Sequence, residues 1–179
     1  CWYDDTNDNC TQSSACVQGF QFDNDANFLD EAARLWNSNR DAALEKYGAI
    51  EDWDVSRLRG LGGLILTHAL GDNFNGDISK WDVVRVTSLA YQFSGLTFFN
   101  QDLSRWDTTK VTNMLGVFKG ASTFNQDLNT WQTSSVTVMD EMFSRALLFN
   151  GNVADWDTSR VYSTNYLFYK AESFNQDLS

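Results

Sequence analysis

The sequence has no proline, one histidine, and three cysteines, none of them beyond Cys16. Each scarcity excludes something. Without proline, no position is barred from donating a backbone N–H, which suits a body whose N–H groups are used by neighbouring segments. His68 has no cysteine or second histidine near it in sequence, so no imidazole–thiolate metal set and no nucleophile–base–orienter set can be assembled. "GLGG" at 60–63 lacks the lysine and serine or threonine of a phosphate loop. No enzyme activity and no cofactor are expected. The longest apolar run, Leu61 to Leu70, is interrupted by Thr67 and His68 and is about half of what a bilayer span requires. A basic-then-apolar leader is also missing, so an export signal is expected upstream of Cys1 or already removed.

Positive charge is the other shortage. Thirteen Lys and Arg stand against 24 Asp and Glu, a net charge of −11. Such a surface repels phosphate backbones, which excludes nucleic acid as a partner. The imbalance is concentrated in residues 1–54, with 12 acids and 3 bases, whereas residues 55–179 carry 12 and 10. A compositional boundary therefore lies near Trp53. Cys1, Cys10 and Cys16 sit in a polar, acidic segment, 1–26, which points to a disulfide staple in an oxidising compartment. Asn9-Cys10-Thr11 is the chain's one glycosylation triplet, making Asn9 a candidate for glycan attachment.

What the sequence does have is an internal repeat. Trp53, Trp81, Trp106, Trp131 and Trp156 are spaced 28, 25, 25 and 25 apart. Seven positions before each later Trp stands Phe74, Phe99, Phe124 or Phe149, and Phe174 opens the next unit. Asn follows every one of these, at Asn75, Asn100, Asn125, Asn150 and Asn175. Five positions after each Trp comes Leu58, Val86, Val111, Val136 or Val161. A period of this length indicates stacked coils, because so short a coil cannot bury its own aromatics in isolation. The coils are 53–80, 81–105, 106–130, 131–155 and 156–179. The extra length of the first is expected as a loop around Gly60 to Gly63. Each buried aromatic removes roughly 150–250 Å² from water, about 4–6 kcal/mol gross. The Trp and Phe columns are expected to be the core, and the Asn column a ladder at a corner.

"QDLSRW" reads as a short parallel strand, "VTNML" as a second extended piece, and "LGVFKGA" as one helical turn closing the coil. The resulting fold class is an α/β repeat with an N-terminal capping helix. That helix is expected over 27–52, with Asn27 as N-cap and Gly48 as its stop. Leu29, Ala32, Ala33, Trp36, Ala43 and Tyr47 form its apolar face.

The unit from Trp106 to Thr130, "WDTTKVTNMLGVFKGASTFNQDLNT", resembles the repeat of mycoplasma surface lipoproteins, which has the same period. That repeat belongs to the bacterial-surface-protein (BspA-like) leucine-rich-repeat group, which also occurs in algal and other protist surface proteins. The helix followed by "YGAIEDWDVSRL" (Tyr47 to Leu58) is similar to the leading segment of the protist versions. The likeness covers residues 27–179. It implies an LRR-like right-handed solenoid of about five coils, exported and surface-located, with structural or adhesive roles and no catalytic residues to carry over. Coil 131–155 departs most, with Gln132 for Asp and "FNGNV" for "FNQDL".

Two acidic columns remain. Asp54, Asp82, Asp107 and Asp157 are each followed three positions later by Arg57, Arg85, Lys110 or Arg160, and both columns lose their charge together at Gln132 and Ser135. That co-loss predicts ion pairs within each coil. The second column, Asp77, Asp102, Asp127 and Asp177, has no basic column in step with it. Its members read as acceptors of backbone N–H groups in turns, with a row of calcium sites as the alternative. Thr87, Thr112 and Thr137, with Thr108, Thr133 and Thr158, form rows that could order water as an ice or small-ligand binder does.

A coil ending at "FNQDLS" is expected to present an apolar cross-section and open backbone groups. Further coils of the same chain or another subunit would cover it, giving head-to-tail assembly into filaments. Segment 1–26 is a candidate intersubunit clasp, since three cysteines leave one thiol after one bridge. A lipid on Cys1, as the mycoplasma likeness implies, accounts for that count equally well. The expected function is an extracellular structural or adhesive repeat protein, with another protein or its own copies as partner.

Overall fold

The computed structural model describes residues 20–22 and 26–178. Helices α1 (Ala26–Ser38) and α2 (Arg40–Tyr47) come first, then a 3-10 turn at Ile50–Asp52 and a third helix, α3 (Leu64–Leu70). The single capping helix expected from Asn27 is thus two helices, and Asn27 lies inside α1 rather than at its N-cap. The break falls at Asn39. Its extended backbone (φ −149°) and its side-chain oxygen, which accepts the Ala42 N–H at 3.1 Å, start a new helix. Gly48 stops α2 at φ 72° while its N–H donates to the Leu44 carbonyl. Glu31 ties the two helices together by accepting from Lys46 Nζ at 3.0 Å and Tyr47 Oη at 3.1 Å.

The apolar face of this pair (Leu29, Ala32, Ala33, Trp36, Ala43 and Tyr47) is buried. Trp36 and Tyr47 meet the first repeat Trp edge-on, with centroids 5.7 and 6.2 Å from Trp53. Phe22 is fully buried 5.3 Å from the same ring. The Phe22 N–H donates to the Asp54 carbonyl, and the Asp54 N–H returns to Phe20. Residues 20–22, grouped by sequence with the N-terminal segment, therefore lie against the first coil. The extra length of that coil, expected as a loop, is accommodated by α3. Buried Thr67 joins α3 to the next coil by donating to the Gln92 carbonyl at 2.9 Å.

From Trp53 onward the repeats stack like on like. Trp106 and Trp131 are parallel within 1° at 6.4 Å, and Trp53 and Trp81 lie within 15° at 6.3 Å. The Phe column runs 74–99–124–149–174 at 6.1, 6.1, 6.0 and 5.8 Å. A second column, Phe93–Phe118–Phe143–Phe168, packs against it, with Phe118 and Phe124 only 3.9 Å apart. Each indole N–H is also satisfied. Trp106 and Trp131 donate to the carbonyls of Ile78 and Leu103, each of which already accepts the backbone N–H of its own coil's next Trp, 81 and 106. Both lone pairs of those buried carbonyls are in use.

The expected α/β architecture, an LRR-like right-handed solenoid, is overturned. Among the described residues there is no β-strand, and every α-helix lies before Gly71. Between coils only single parallel bridges form, Gly60–Ser88–Asn113–Val138–Ser163. The reason is legible in the bonds. In "QDLSRW" the Asp102 carboxylate accepts the Ser104 N–H at 2.8 Å, and the Trp106 N–H folds back to Leu103 at 3.1 Å. The same pair of bonds recurs in "DTTKV", from Thr109 to Asp107 and from Val111 to Thr108. Such turns, two Asp-initiated ones in each of the first two coils, leave no extended run long enough for a strand.

The segment expected to be a helical turn is neither helix nor strand. Alternate N–H groups leave the coil: Leu89, Tyr91, Phe93 and Gly95 donate to the carbonyls of Asn113, Leu115, Val117 and Lys119. The intervening Gln92, Ser94 and Leu96 donate to carbonyls three positions back within the coil. Two positions in each of the four later coils are left-handed. They are Tyr91, Gly116, Glu141 and Tyr166 (φ 55–59°), and, four positions later, Gly95, Gly120, Arg145 and Lys170 (φ 57–80°). A non-glycine residue there costs about 1–2 kcal/mol.

Trp106→Ala should lower the unfolding free energy by about 3–5 kcal/mol, as large truncations in cores do. Exposed Lys110→Ala should change it by less than about 1 kcal/mol. Denaturant midpoints measure both, and equal shifts would mean that the Trp column is not the cohesive core.

Candidate functional site

The five asparagines after the Phe column form one line of hydrogen bonds. The N–H groups of Asn100, Asn125, Asn150 and Asn175 donate to the side-chain oxygens of Asn75, Asn100, Asn125 and Asn150 at 2.7–2.9 Å. Gln101, Gln126 and Gln176 reinforce it by donating Nε2 to the side-chain oxygens of Asn75, Asn100 and Asn150 and to the carbonyls of the same residues. The fourth coil has Gly151 where these glutamines stand. A Cβ added there would lie 2.1 Å from the Gln126 carbonyl oxygen.

The acidic columns face backbone donors. Asp77 and Asp102 accept the N–H groups of Ser79 and Ser104 at 2.9 and 2.8 Å, and Asp127 accepts that of Asn152 at 2.8 Å. Backbone N–H donation from Ser79 and Ser104, helped by the serine side chains, holds the Asp77 and Asp102 carboxyls below their ordinary value. Asp107 and Asp157 are lowered by the side chains and N–H groups of Thr109 and Ser159, with smaller attractions from Lys110 and Arg160. For Asp54, burial pushes the carboxyl up, but bonds from Ser56 and Gln21 outweigh it. Among the described residues the expected ion pairs between Asp82 and Arg85, Asp107 and Lys110, and Asp157 and Arg160 do not form. The acids serve the turns instead.

Among the described residues no group of three or more His, Cys, Asp or Glu is placed to hold a metal. Thr108 and Thr133 are buried and donate to the carbonyls of Gln132 and Asp157. Thr112 and Thr137 spend their protons on the carbonyls of Thr87 and Thr112. These members of the threonine rows expected to order water are thus committed to the backbone. Cys1, Cys10, Cys16 and Asn9 lie outside the described residues, as does the final Ser179. No helix among the described residues is long and apolar enough to cross a membrane.

Two concave features remain. One, about 400 Å³, lies between α1–α2 and the first coil, where Arg40 sits 4.0 Å over the Trp36 ring beside Phe74. The other, about 470 Å³, runs along the flank of four successive coils. Gly95 and Gly120 contribute no side chains to it, while Lys119, Glu141, Arg145, Tyr166 and Tyr169 project around it. Lys119 and Glu141 form an ion pair. Tyr166 and Tyr169 meet edge-to-face at 5.6 Å, and Lys170 lies 5.5 Å over the Tyr169 ring. Sequence reasoning missed this flank, because it read these positions as a helical turn. The spacing of Gly116 and Gly120 was the available signal.

Two outcomes test the polar ladders. Asn100→Ala strands the Asn125 N–H and should cost about 1 kcal/mol or more, whereas Asn100→Asp keeps the acceptor and should cost less. Carboxyls lowered in the folded state contribute stability above their ordinary value, near 3.8, and lose it as pH falls through the lowered values. The thermal midpoint should therefore be flat from about pH 7 to 5 and fall below about pH 4. Asp102→Asn should make that acid limb shallower.

One family model matches the chain, over residues 34–132 and again over 102–179, and it is described as "Mycoplasma protein of unknown function, DUF285". No curated protein and no solved structure shows significant similarity to the chain. The two matched segments together run through all five Trp-centred coils, so this chain belongs to the DUF285 family of Mycoplasma-type repeat proteins.

Proposed function

We propose that the chain is the repeat body of an exported, cell-surface protein of the BspA-like kind, with a structural or adhesive role and no enzymatic one. The observation that carries this reading is the self-complementarity of the coils. Coil 131–155 offers coil 156–178 the N–H groups of Met139, Glu141, Phe143 and Arg145, and coil 156–178 repeats the same backbone course. Its Trp156, Phe168 and Phe174 are only partly buried, and Tyr162 and Tyr166 are 78% and 66% exposed. A further coil of the same kind has a matching seat there. At the other end α1, α2 and Phe22 already cover Trp53. Because the first coil is covered, a second copy can reach this seat only through the outer surface of its own α1–α2 cap, so head-to-tail growth here means cap on last coil. The family match supports the surface assignment only at the level of the family's description.

Light scattering of the chain should give a mass above that of one 20.3 kDa copy. Tyr162→Asp with Tyr166→Asp should restore the monomer. If disulfides through Cys1, Cys10 or Cys16 clasp the assembly, reductant should shorten it on non-reducing gels. A monomer at every concentration would defeat self-assembly. Failure of an impermeant label to reach the protein on intact cells would defeat the surface location.

A further inference from the structure

We infer that the flank groove lined by Arg145, Tyr166 and Tyr169 is a binding site for an acidic saccharide, a pyranose bearing a carboxylate. The argument begins with the backbone. The two left-handed positions of each coil are satisfied without strain by Gly116 and Gly120 in the third coil. In the fourth and fifth coils the same positions hold Glu141, Arg145, Tyr166 and Lys170, at φ 55–62°. Glycine suits all four, so the side chains are present against the preference of the backbone. Strained residues of this kind gather where a side chain has work to do. These four lie at the groove, three lining it and Lys170 packing over another lining residue, Tyr169, whereas the remaining left-handed non-glycine, Tyr91, lies off it with its ring against Gly116.

The chemistry of the lining selects the ligand. Tyr166 is 66% and Tyr169 44% exposed, and they stand edge-to-face, so aromatic surface is open to a ligand. The negative face of such a ring attracts the polarised C–H bonds of a sugar. Glu141 and Lys119 neutralise one another, whereas the exposed Arg145 guanidinium makes no ion pair with a described residue. With Lys170 it leaves a local positive excess on a chain of net charge −11, complementary to a carboxylate. Gly95 and Gly120 open the floor so that a sugar ring can approach. The volume, about 470 Å³, is within the range of small-ligand sites. An acidic peptide fits less well. Backbone N–H groups near the floor, at Gly95 and Gly120, are already spent on the next coil, leaving no edge for strand addition.

The inference concerns the unassembled chain, in which Tyr166 is open, and it does not depend on where the protein resides. The test is an NMR titration of the intact chain with oligomers of galacturonate, glucuronate and sialic acid, each beside its methyl ester. At least one acidic oligomer should perturb the Gly95, Gly120 and Arg145 amides at concentrations up to about 5 mM, and its ester should bind at least about tenfold more weakly. Arg145→Gly should abolish binding while holding or raising the thermal midpoint, because it removes a side chain that the backbone disfavours. Arg145→Gln, which retains the bulk, should also lose binding. The proposal is overturned if no acidic oligomer perturbs these amides, if an ester binds as well as its acid, or if an oligoglutamate peptide binds as tightly. It is equally overturned if Arg145→Gly retains affinity or lowers the midpoint.

Discussion

The structure depends on a constant repeat length that places each buried indole over its predecessor with its N–H still bonded. The indole of Trp106 donates to Ile78, that of Trp131 to Leu103 and that of Trp156 to Leu128. The acceptor is always the carbonyl that turns the preceding coil into its own Trp. Apolar stacking and polar satisfaction are thereby met by one side chain, and the smallest slip in register would forfeit both. The Phe columns add area to this arrangement, and the Asn ladder repeats its logic at the surface with side-chain oxygens and backbone N–H groups.

A coil built almost wholly of turns follows from the same constraint. The chain must return to its starting point within one repeat, which rules out the longer helix or strand that would otherwise use its backbone groups. Asp-initiated turns absorb N–H groups beside Trp53, Trp81, Trp106 and Trp156, and on the far side alternate N–H groups cross to the next coil. Left-handed residues break that far segment twice per coil, and there the sequence is free to place glycine or something costlier. The flank groove runs past both kinds of position. Cohesion and any recognition are thus separated: inward columns hold the stack, and flank positions vary from coil to coil.

The first coil is covered for a physical reason. Trp53 is the first of its column, so Trp36, Tyr47 and Phe22 supply the aromatic surface that a coil would supply elsewhere. A repeat protein of this design gains contact area by adding units.

The sequence by itself determined the period, the identity of the inward columns and the amphipathic face ahead of Trp53, because burial must recur wherever like stacks on like. The buried state of Leu103, Val111, Phe118 and Phe124 shows that pattern. It misled on secondary structure. "QDLSRW" alternates like a strand, and "LGVFKGA" has the composition of a helical turn. Periodicity records which side chains face inward, not which carbonyl each N–H will find. Only the tertiary structure decided that Asp102 takes the Ser104 N–H, that Asp107 serves a turn instead of pairing with Lys110, and that Gly116 and Gly120 are left-handed. These choices are made between coils, where donors and acceptors a full repeat apart compete with local ones, and no local pattern carries that balance.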